Sequence, residues 1–170
     1  EDRTLMAAVI GEKKISDAGL KVVGGHTDAP RLDLKPIPLF ENGGYVYLDT
    51  HIYGGIKKYQ WLVMPLALYG TVVRKNGTKV NIEIGDKPND PIFMISDILP
   101  HLGKDQAKKT RDEFFPAEDL DVICWTTPAK KEGSSDKKGL VDYLKKTYNI
   151  TEDDLLSAEL EIVPAGMPRE

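Results

Sequence analysis

The sequence predicts an α+β fold in which strands predominate, and three observations lead to this prediction. Residues 79–84 alternate apolar and polar side chains directly after the turn-forming pair Asn76-Gly77. Residues 45–50 are rich in aromatic and β-branched residues, which favour strands. The apolar residues of 140–150 recur at helical spacing. Several strands, two of them in a hairpin, together with one amphipathic helix account for all three patterns.

Two apolar runs open the chain, and each predicts buried structure. Residues 4–11 end at a glycine and predict a buried strand or the tail of a helix, and residues 20–24 predict a second buried strand that leads directly to His26. Residues 31–35 alternate Leu with charged residues, which is typical of a half-buried strand. The prolines that follow predict a domain boundary near residue 36.

The middle of the chain predicts a bent strand, a hairpin and a short helix. Residues 61–69 are apolar but contain Pro65, so they predict a bent or edge strand. Residues 71–74 and 79–84 flank Asn76-Gly77, which suits a type I′ hairpin turn. Ser96 is placed to cap a short helix over residues 97–102. Residues 104–115 are charged and predict a helical or mobile excursion.

The last third predicts two strands around the helix. Residues 120–126 and 158–162 have strand patterns, and the second ends at Pro164. Residues 130–138 form a predicted polar loop before the helix. Thr151 and Asp154 resemble a capping box, with Asp in the place of the usual Glu.

Composition limits the functional classes. The 170 residues carry a formal charge of −4, and Lys and Arg are scattered, which argues against nucleic-acid binding. The sequence contains neither an apolar run of membrane-spanning length nor a signal-peptide pattern. Cys124 is the single cysteine, so no intrachain disulfide forms, and a reducing, cytoplasmic location is expected. Its apolar neighbours predict a core residue rather than a nucleophile.

His26 and Asp28 are the candidate catalytic pair. Two residues apart in extended chain, they point the same way, so the imidazole can bind a metal while the carboxylate orients it. The alternative, that His26 only closes a strand end, stays open. His51 and His101 have no local metal-binding pattern, and neither HExxH nor CxxC spacing occurs. A zinc site needs three or more protein ligands, so the motif is incomplete.

Four segments together resemble the aspartyl aminopeptidase family of dinuclear zinc exopeptidases, in its bacterial branch. In chain order they are Gly24-Gly-His-Thr-Asp28-Ala-Pro-Arg-Leu-Asp-Leu-Lys-Pro36, His51-Ile-Tyr-Gly-Gly-Ile-Lys-Lys-Tyr-Gln-Trp61, Ile95-Ser-Asp-Ile-Leu-Pro-His101-Leu and Ser157-Ala-Glu-Leu-Glu-Ile-Val-Pro-Ala-Gly166. The resemblance implies removal of N-terminal residues, often acidic ones, from peptide substrates. It also implies an active site with two zinc ions, or cobalt or manganese in their place.

The resemblance also implies roles for three residues of this chain. His26 matches the first zinc ligand, and Asp28 matches the aspartate that hydrogen-bonds and tunes a metal-binding group. His101 matches a histidine that enters the partner subunit's active site and helps to bind substrate. The remaining ligands and the general base would follow this chain, so the chain is expected to be an inactive fragment that does not retain the metal. Its start at Glu1, without Met, fits a fragment or a processed product.

The same resemblance implies a domain organisation and an assembly. Residues 1–36 would be a small N-terminal piece of the α/β catalytic domain, 37–162 a strand-rich inserted dimerisation domain, and 163–170 the return to the catalytic domain. Family members form dimers that build a dodecamer. Two alternatives remain: a non-catalytic β-rich assembly module, and another zinc exopeptidase of the same clan with a different inserted domain.

Overall fold

A computed structural model describes residues 4–127 and 135–166. The predictions that concern residues 1–3, 128–134 and 167–170, including most of the predicted polar loop, lie outside this range. The strands are β1 (Arg31–Asn42), β2 (Tyr45–Tyr53), β3 (Leu66–Val73), β4 (Lys79–Ile84), β5 (Val122–Trp125) and β6 (Ala158–Pro164). The α-helices are α1 (Ile15–Ala18), a single turn, and α2 (Lys137–Tyr148). Short 3-10 turns span Lys58–Gln60, Gln106–Lys108, Ala117–Asp119 and Glu152–Ser157.

The six strands form one sheet in the order β4-β3-β6-β1-β2-β5. Every pair of neighbours in it is antiparallel. The strand that comes last in the chain, β6, lies between β3 and β1, so it joins the two hairpins into a continuous sheet. The predicted α+β class is confirmed.

One face of the sheet carries the core. Leu32, Leu68 and Ile162 are register neighbours on β1, β3 and β6, and all are buried. The helix α2 contributes Leu140 and Leu144 to the same core. Because side chains alternate along a strand, the neighbours of Leu32 point to the opposite face. That second face is polar at the start of β1, and the candidate site lies there.

The prolines do not end β1. The strand continues through Pro36 and Pro38 to Asn42, with a register shift against β2 between Leu34 and Leu39. Proline cannot donate to a ladder, so an irregularity is the place where a strand tolerates it. The predicted domain boundary therefore lies within a single bulged strand.

The two N-terminal strand predictions are wrong. Residues 4–11 and 20–24 belong to no strand and are exposed, with Val23 at 98% of its full accessibility. An apolar run forms a strand only when another strand pairs with it, and within the described residues neither run enters a ladder. The single turn α1 lies between the two runs.

The hairpin prediction is confirmed, but its turn type is wrong. The strands β3 and β4 pair antiparallel, and Gly77 N–H donates to the Arg74 carbonyl at 2.8 Å. A type I′ turn needs positive φ at both central residues, and Gly77 has φ +82° whereas Asn76 is not positive. The loop is therefore a turn closed by a left-handed glycine. The strand β3 begins directly after Pro65, not at residue 61.

The short helix predicted after Ser96 is also wrong. The segment is a turn, in which Leu102 N–H and Gly103 N–H donate to the Leu99 carbonyl. Pro100 has no N–H to donate, and its ring opposes a continued helix. In residues 104–115 the helical structure is limited to the three-residue 3-10 turn Gln106–Lys108, and a hydrogen-bonded turn follows at residues 110–114.

The C-terminal predictions are confirmed. The helix α2 ends at Asn149, which adopts a left-handed conformation, and β5 and β6 form where strands were expected. Thr151 and Asp154 make the capping box, with the Asp154 carboxylate accepting from both the main-chain N–H and the hydroxyl of Thr151 at 2.8 Å. Within the described residues, no helix is long and apolar enough to cross a membrane.

Candidate functional site

The open end of the β1–β2 hairpin carries the candidate motif. Arg31, the first residue of β1, pairs with Tyr53, the last residue of β2. Gly54 follows with φ +72°, and a side chain there would contact Pro30 at 3.5 Å. The main chain at Gly54 therefore passes close to Pro30, at the end of the motif.

His26 and Asp28 contact each other. The Nδ1 atom of His26 lies 3.1 Å from the Asp28 carboxylate and 3.2 Å from the Asp28 main-chain oxygen. When Nδ1 carries the ring proton, both oxygens accept from it, and Nε2 keeps a lone pair. The His26 side chain is 85% exposed and the Asp28 side chain 50% exposed. An exposed imidazole oriented by a carboxylate through its other nitrogen is the usual setting of a metal-binding histidine.

Tyr53 holds the second oxygen of the Asp28 carboxylate. Its hydroxyl donates to Oδ2 at 2.8 Å. This hydrogen bond, followed by the one from His26, lowers the pKa of Asp28 below its ordinary value. The carboxylate is therefore ionised near neutral pH and remains an acceptor for the ring.

Arg31 connects Tyr53 to the rest of the sheet. Its guanidinium lies 4.0 Å from the centroid of the Tyr53 ring, in cation–π geometry. Its Nε atom contacts Asp33 at 2.7 Å and Glu161 at 3.1 Å, and its side chain is only 14% exposed. Two carboxylates from β1 and β6 thus hold one cation against the aromatic ring.

An open cleft surrounds the motif, but it is not a complete zinc site. It is lined by Thr4, Leu5, Gly25, His26, Thr27, Asp28, Arg31, Tyr53, Glu159 and Glu161. Within the described residues, no group of three His, Cys, Asp or Glu side chains is arranged to hold a metal. Zinc sites use three or more protein ligands. The described residues of the cleft therefore suit one ligand position of a zinc site, and they do not supply the three or more ligands of a complete site.

The other two histidines lie apart from this cleft. His101 is exposed on the turn that joins Leu99 to Gly103, and it does not line the cleft. His51 lies on β2, with Nε2 3.9 Å from Asp33, and it is mostly exposed. The structure thus brings His26 and Asp28 together and leaves His101 elsewhere.

Cys124 is a core residue, as its neighbours predicted. It is 4% exposed on β5, with its thiol 3.3 Å from the Val46 carbonyl. Burial raises its pKa to about 12, so the nucleophilic thiolate is not formed near neutral pH.

Tyr53, Arg31 and Glu161 were not singled out as site residues from the sequence. They reach the motif through strand pairing, since Arg31 faces Tyr53 across the hairpin and Asp33 faces Glu161 on β6. All three lie in the segments that resemble the family, which was the signal available in the sequence.

Comparison with known proteins identifies the family to which the chain is similar. A family model described as "Aminopeptidase I zinc metalloprotease (M18)" matches residues 1–169. A probable M18 family aminopeptidase 1 of Clostridium acetobutylicum is 45% identical over 168 residues, covering 98% of this chain and 36% of that protein. The chain therefore spans about a third of the length of such relatives.

Solved structures show the same fold. The crystal structure of an M18 family aminopeptidase from Thermotoga maritima matches 81% of this chain and 30% of that one, with a TM-score of 0.75 and 45% identity. The mApe1 dodecamer of yeast matches 82% of this chain and 30% of that one, with a TM-score of 0.50 and 19% identity. At that identity the likeness concerns the fold alone.

Proposed function

Because the chain belongs to the M18 family of zinc metalloproteases, we propose that it supplies the first metal ligand, His26, to the active site of an aminopeptidase. The observation that carries this proposal is the contact of His26 Nδ1 with the Asp28 carboxylate. It leaves Nε2 as the nitrogen for zinc, and Asp28 orients the ring. Zinc, or cobalt or manganese in its place, would supply Lewis-acid chemistry when it is bound.

These 170 residues are inactive alone under this proposal. The described residues hold one ligand and its orienting carboxylate, and the chain spans about a third of its relatives. The remaining ligands of a two-zinc centre and its general base would come from the other two thirds. The substrate would be the N-terminal residue of a peptide, with a preference for acidic residues resting on the family resemblance alone. The location would be cytoplasmic.

The strand pairing supports the proposed domain organisation. If residues 37–162 are an inserted domain, the chain must leave and re-enter the catalytic domain at neighbouring points. Leu32 on β1 pairs with Ile162 on β6, so the two predicted junctions lie side by side. We keep residues 1–36 and 163–170 as the pieces of the catalytic domain.

Self-association and a role for His101 belong to the same proposal. His101 is exposed between Leu99 and Leu102, which are exposed as well. An apolar turn that carries a histidine suits a contact with a second copy of the protein, whose active site His101 would enter. Dimers, and a dodecamer built from them, are the assemblies that the family resemblance implies.

The first experiment tests the proposed inactivity. The purified 170-residue protein, incubated with zinc and with acidic and neutral aminoacyl p-nitroanilides, is expected to release no nitroaniline, because one imidazole does not hold the metal. Gel filtration after zinc loading is expected to leave no stoichiometric zinc. Hydrolysis that a chelator abolishes would contradict the proposal.

The full sequence of the gene that encodes these residues distinguishes an aminopeptidase from the alternative, a non-catalytic β-rich assembly module. A downstream Asp, a Glu-Glu pair and a late His would support the peptidase, and the long protein with His26→Ala is then expected to lose zinc and activity. His51→Ala is the matched control, because His51 lies outside the cleft. If those downstream residues are missing, the non-catalytic assembly module is the correct function.

A further inference from the structure

We propose that Tyr53 is a positioning residue, which fixes the Asp28 carboxylate and through it the tautomer of the His26 ring. The use of the His26 ring in metal binding rests on the proposed function. The orientation of the ring by Asp28 and Tyr53 is a property of the chain without any metal. Nothing in the local sequence of the motif requires Tyr53, which lies 25 residues beyond Asp28 and reaches it across the hairpin.

The two oxygens of the Asp28 carboxylate have different partners. Oδ1 faces His26 Nδ1 at 3.1 Å, and Oδ2 accepts from the Tyr53 hydroxyl at 2.8 Å. The carboxylate is half exposed, so packing alone does not select one rotamer for it. A donor on Oδ2 stops the carboxylate from turning, and this keeps Oδ1 directed at the ring.

Tyr53 is itself held on both sides. It ends β2 in register with Arg31, and the Arg31 guanidinium covers its ring at 4.0 Å. That guanidinium is almost buried and contacts Asp33 and Glu161. The phenol therefore projects from a fixed point of the sheet. A rigid strand end, rather than the exposed segment before β1, sets the orientation of the carboxylate.

The tautomer decides whether the ring can bind a metal. A neutral imidazole in water favours the proton on Nε2, which blocks that nitrogen. An oriented carboxylate beside Nδ1 moves the proton to Nδ1 and frees the Nε2 lone pair. Tyr53 thus prepares His26 for metal binding before any metal arrives.

The experiment measures the tautomer in the metal-free 170-residue protein. Long-range ¹H–¹⁵N spectra at about pH 8, above the ordinary histidine pKa, separate Nδ1–H from Nε2–H forms of the His26 ring. The wild type is expected to show mainly Nδ1–H. Tyr53→Phe is expected to lower the Nδ1–H to Nε2–H ratio roughly two- to tenfold, which corresponds to the loss of one net hydrogen bond. Tyr45→Phe, at the opposite end of β2, is the matched control and is expected to leave the ratio unchanged.

A wild-type ring that is mainly Nε2–H, or a ratio that Tyr53→Phe leaves unchanged, would overturn the proposal. Should Tyr53→Phe disturb the backbone resonances of β1 and β2, Arg31→Lys is the second variant. It keeps the phenol and the charge but loses the planar guanidinium, so a smaller fall in the ratio is expected, and an unchanged ratio overturns the proposal. The tautomer ratios of the two variants test the positioning role and not the proposed function. The function is tested separately, because a long protein that keeps its zinc after His26→Ala would refute the function and leave the positioning role intact.

Discussion

Asp121 lies immediately before β5 in surroundings that oppose its charge. Burial and, next, the nearby Asp49 carboxylate raise its pKa to about 6, against the weaker opposing effects of the Thr50 main chain and the Lys35 ammonium. Lys35 forms its own ion pair with Asp49 at 2.7 Å and lies 3.5 Å from Glu118. Near neutral pH the fold therefore carries a carboxylate that is less favourable there than in the unfolded chain.

Asp121→Asn is expected to stabilise the protein near pH 7 and not in acid. The folded pKa is above the unfolded one, so the native state holds an extra proton between about pH 4 and 6, and stability falls as pH rises through that window. Asn mimics the protonated acid and avoids this loss of stability. Because solvent screens the partly exposed carboxylate, the expected gain in the free energy of unfolding near pH 7 is on the order of 1 kcal/mol. Urea unfolding at several pH values measures it. Equal stability near pH 3.5 is the internal control, and a constant difference at all pH values would contradict the explanation.

Whether a residue of the candidate site could be predicted from the sequence depends on how far it lies along the chain from the residues that it contacts. His26 and Asp28 were predictable because two-residue spacing alone places them together, and the structure puts them 3.1 Å apart. Tyr53, Arg31 and Glu161 depend on which strand pairs with which and in what register, which local patterns do not state. The absence of a complete metal site within the described residues was predictable, because the sequence has one histidine in a metal-binding pattern and a zinc site needs three or more protein ligands.

The approach of β3 to β6 depends on one glycine. Gly70 has φ +140°, and a Cβ built on it would collide with the main-chain oxygen of Glu159 and lie 3.0 Å from Leu160 Cα. Both neighbours are backbone of the central strand, which cannot move without breaking the ladder. Gly70→Ala is therefore expected to lower the free energy of unfolding by about 3 kcal/mol or more, measured as the urea midpoint at unchanged slope.

Two other glycines separate the causes of that loss. Gly77 has φ +82° with open space around it, so Gly77→Ala reports backbone strain alone and should cost about 1 kcal/mol. Gly55 has open space and no positive φ, so Gly55→Ala should change stability little. A loss for Gly70→Ala no larger than that for Gly77→Ala would show that close strand packing is not the cause.

Whether an element was predictable depended on where its partner lies. The hairpin of β3 and β4 and the helix α2 contain their own signals, namely alternation, a turn pair and helical spacing. Residues 4–11 and 20–24 have equally apolar patterns, but a buried strand also requires a neighbour, and among the residues that the structure describes no strand pairs with them. Apolar content alone indicated that these segments favour burial, but it did not show which secondary structure they form or which element would bury them.

On the scale of the whole molecule, exposed apolar side chains recur in two segments that contact each other, at residue 63 and at residues 92–102. We call this set the apolar surface, and its members are Val63, Ile92, Met94, Ile98, Leu99 and Leu102. Val63 N–H donates to the Ile95 carbonyl at 2.8 Å, which joins the two segments that form this surface. Val63 also has φ +53°, an unfavourable conformation for a β-branched residue. A strained residue among exposed apolar ones is typical of an interaction surface.

If this surface binds a second copy, acidic residues on it should disperse the oligomer. The double variant Leu99→Asp, Leu102→Asp would place two charges in an apolar contact. The dissociation constant of the oligomer is therefore expected to rise at least about tenfold, and sedimentation velocity measures this as a shift toward monomer. His101→Ala should leave assembly unchanged, because its proposed role is in the partner's active site. Leu156→Asp and Val9→Asp are the matched controls, since both residues are exposed and apolar but lie elsewhere. Dispersal by Val9→Asp alone would instead assign self-association to the uncovered N-terminal segment, and a monomeric wild type would refute the surface as a self-association site.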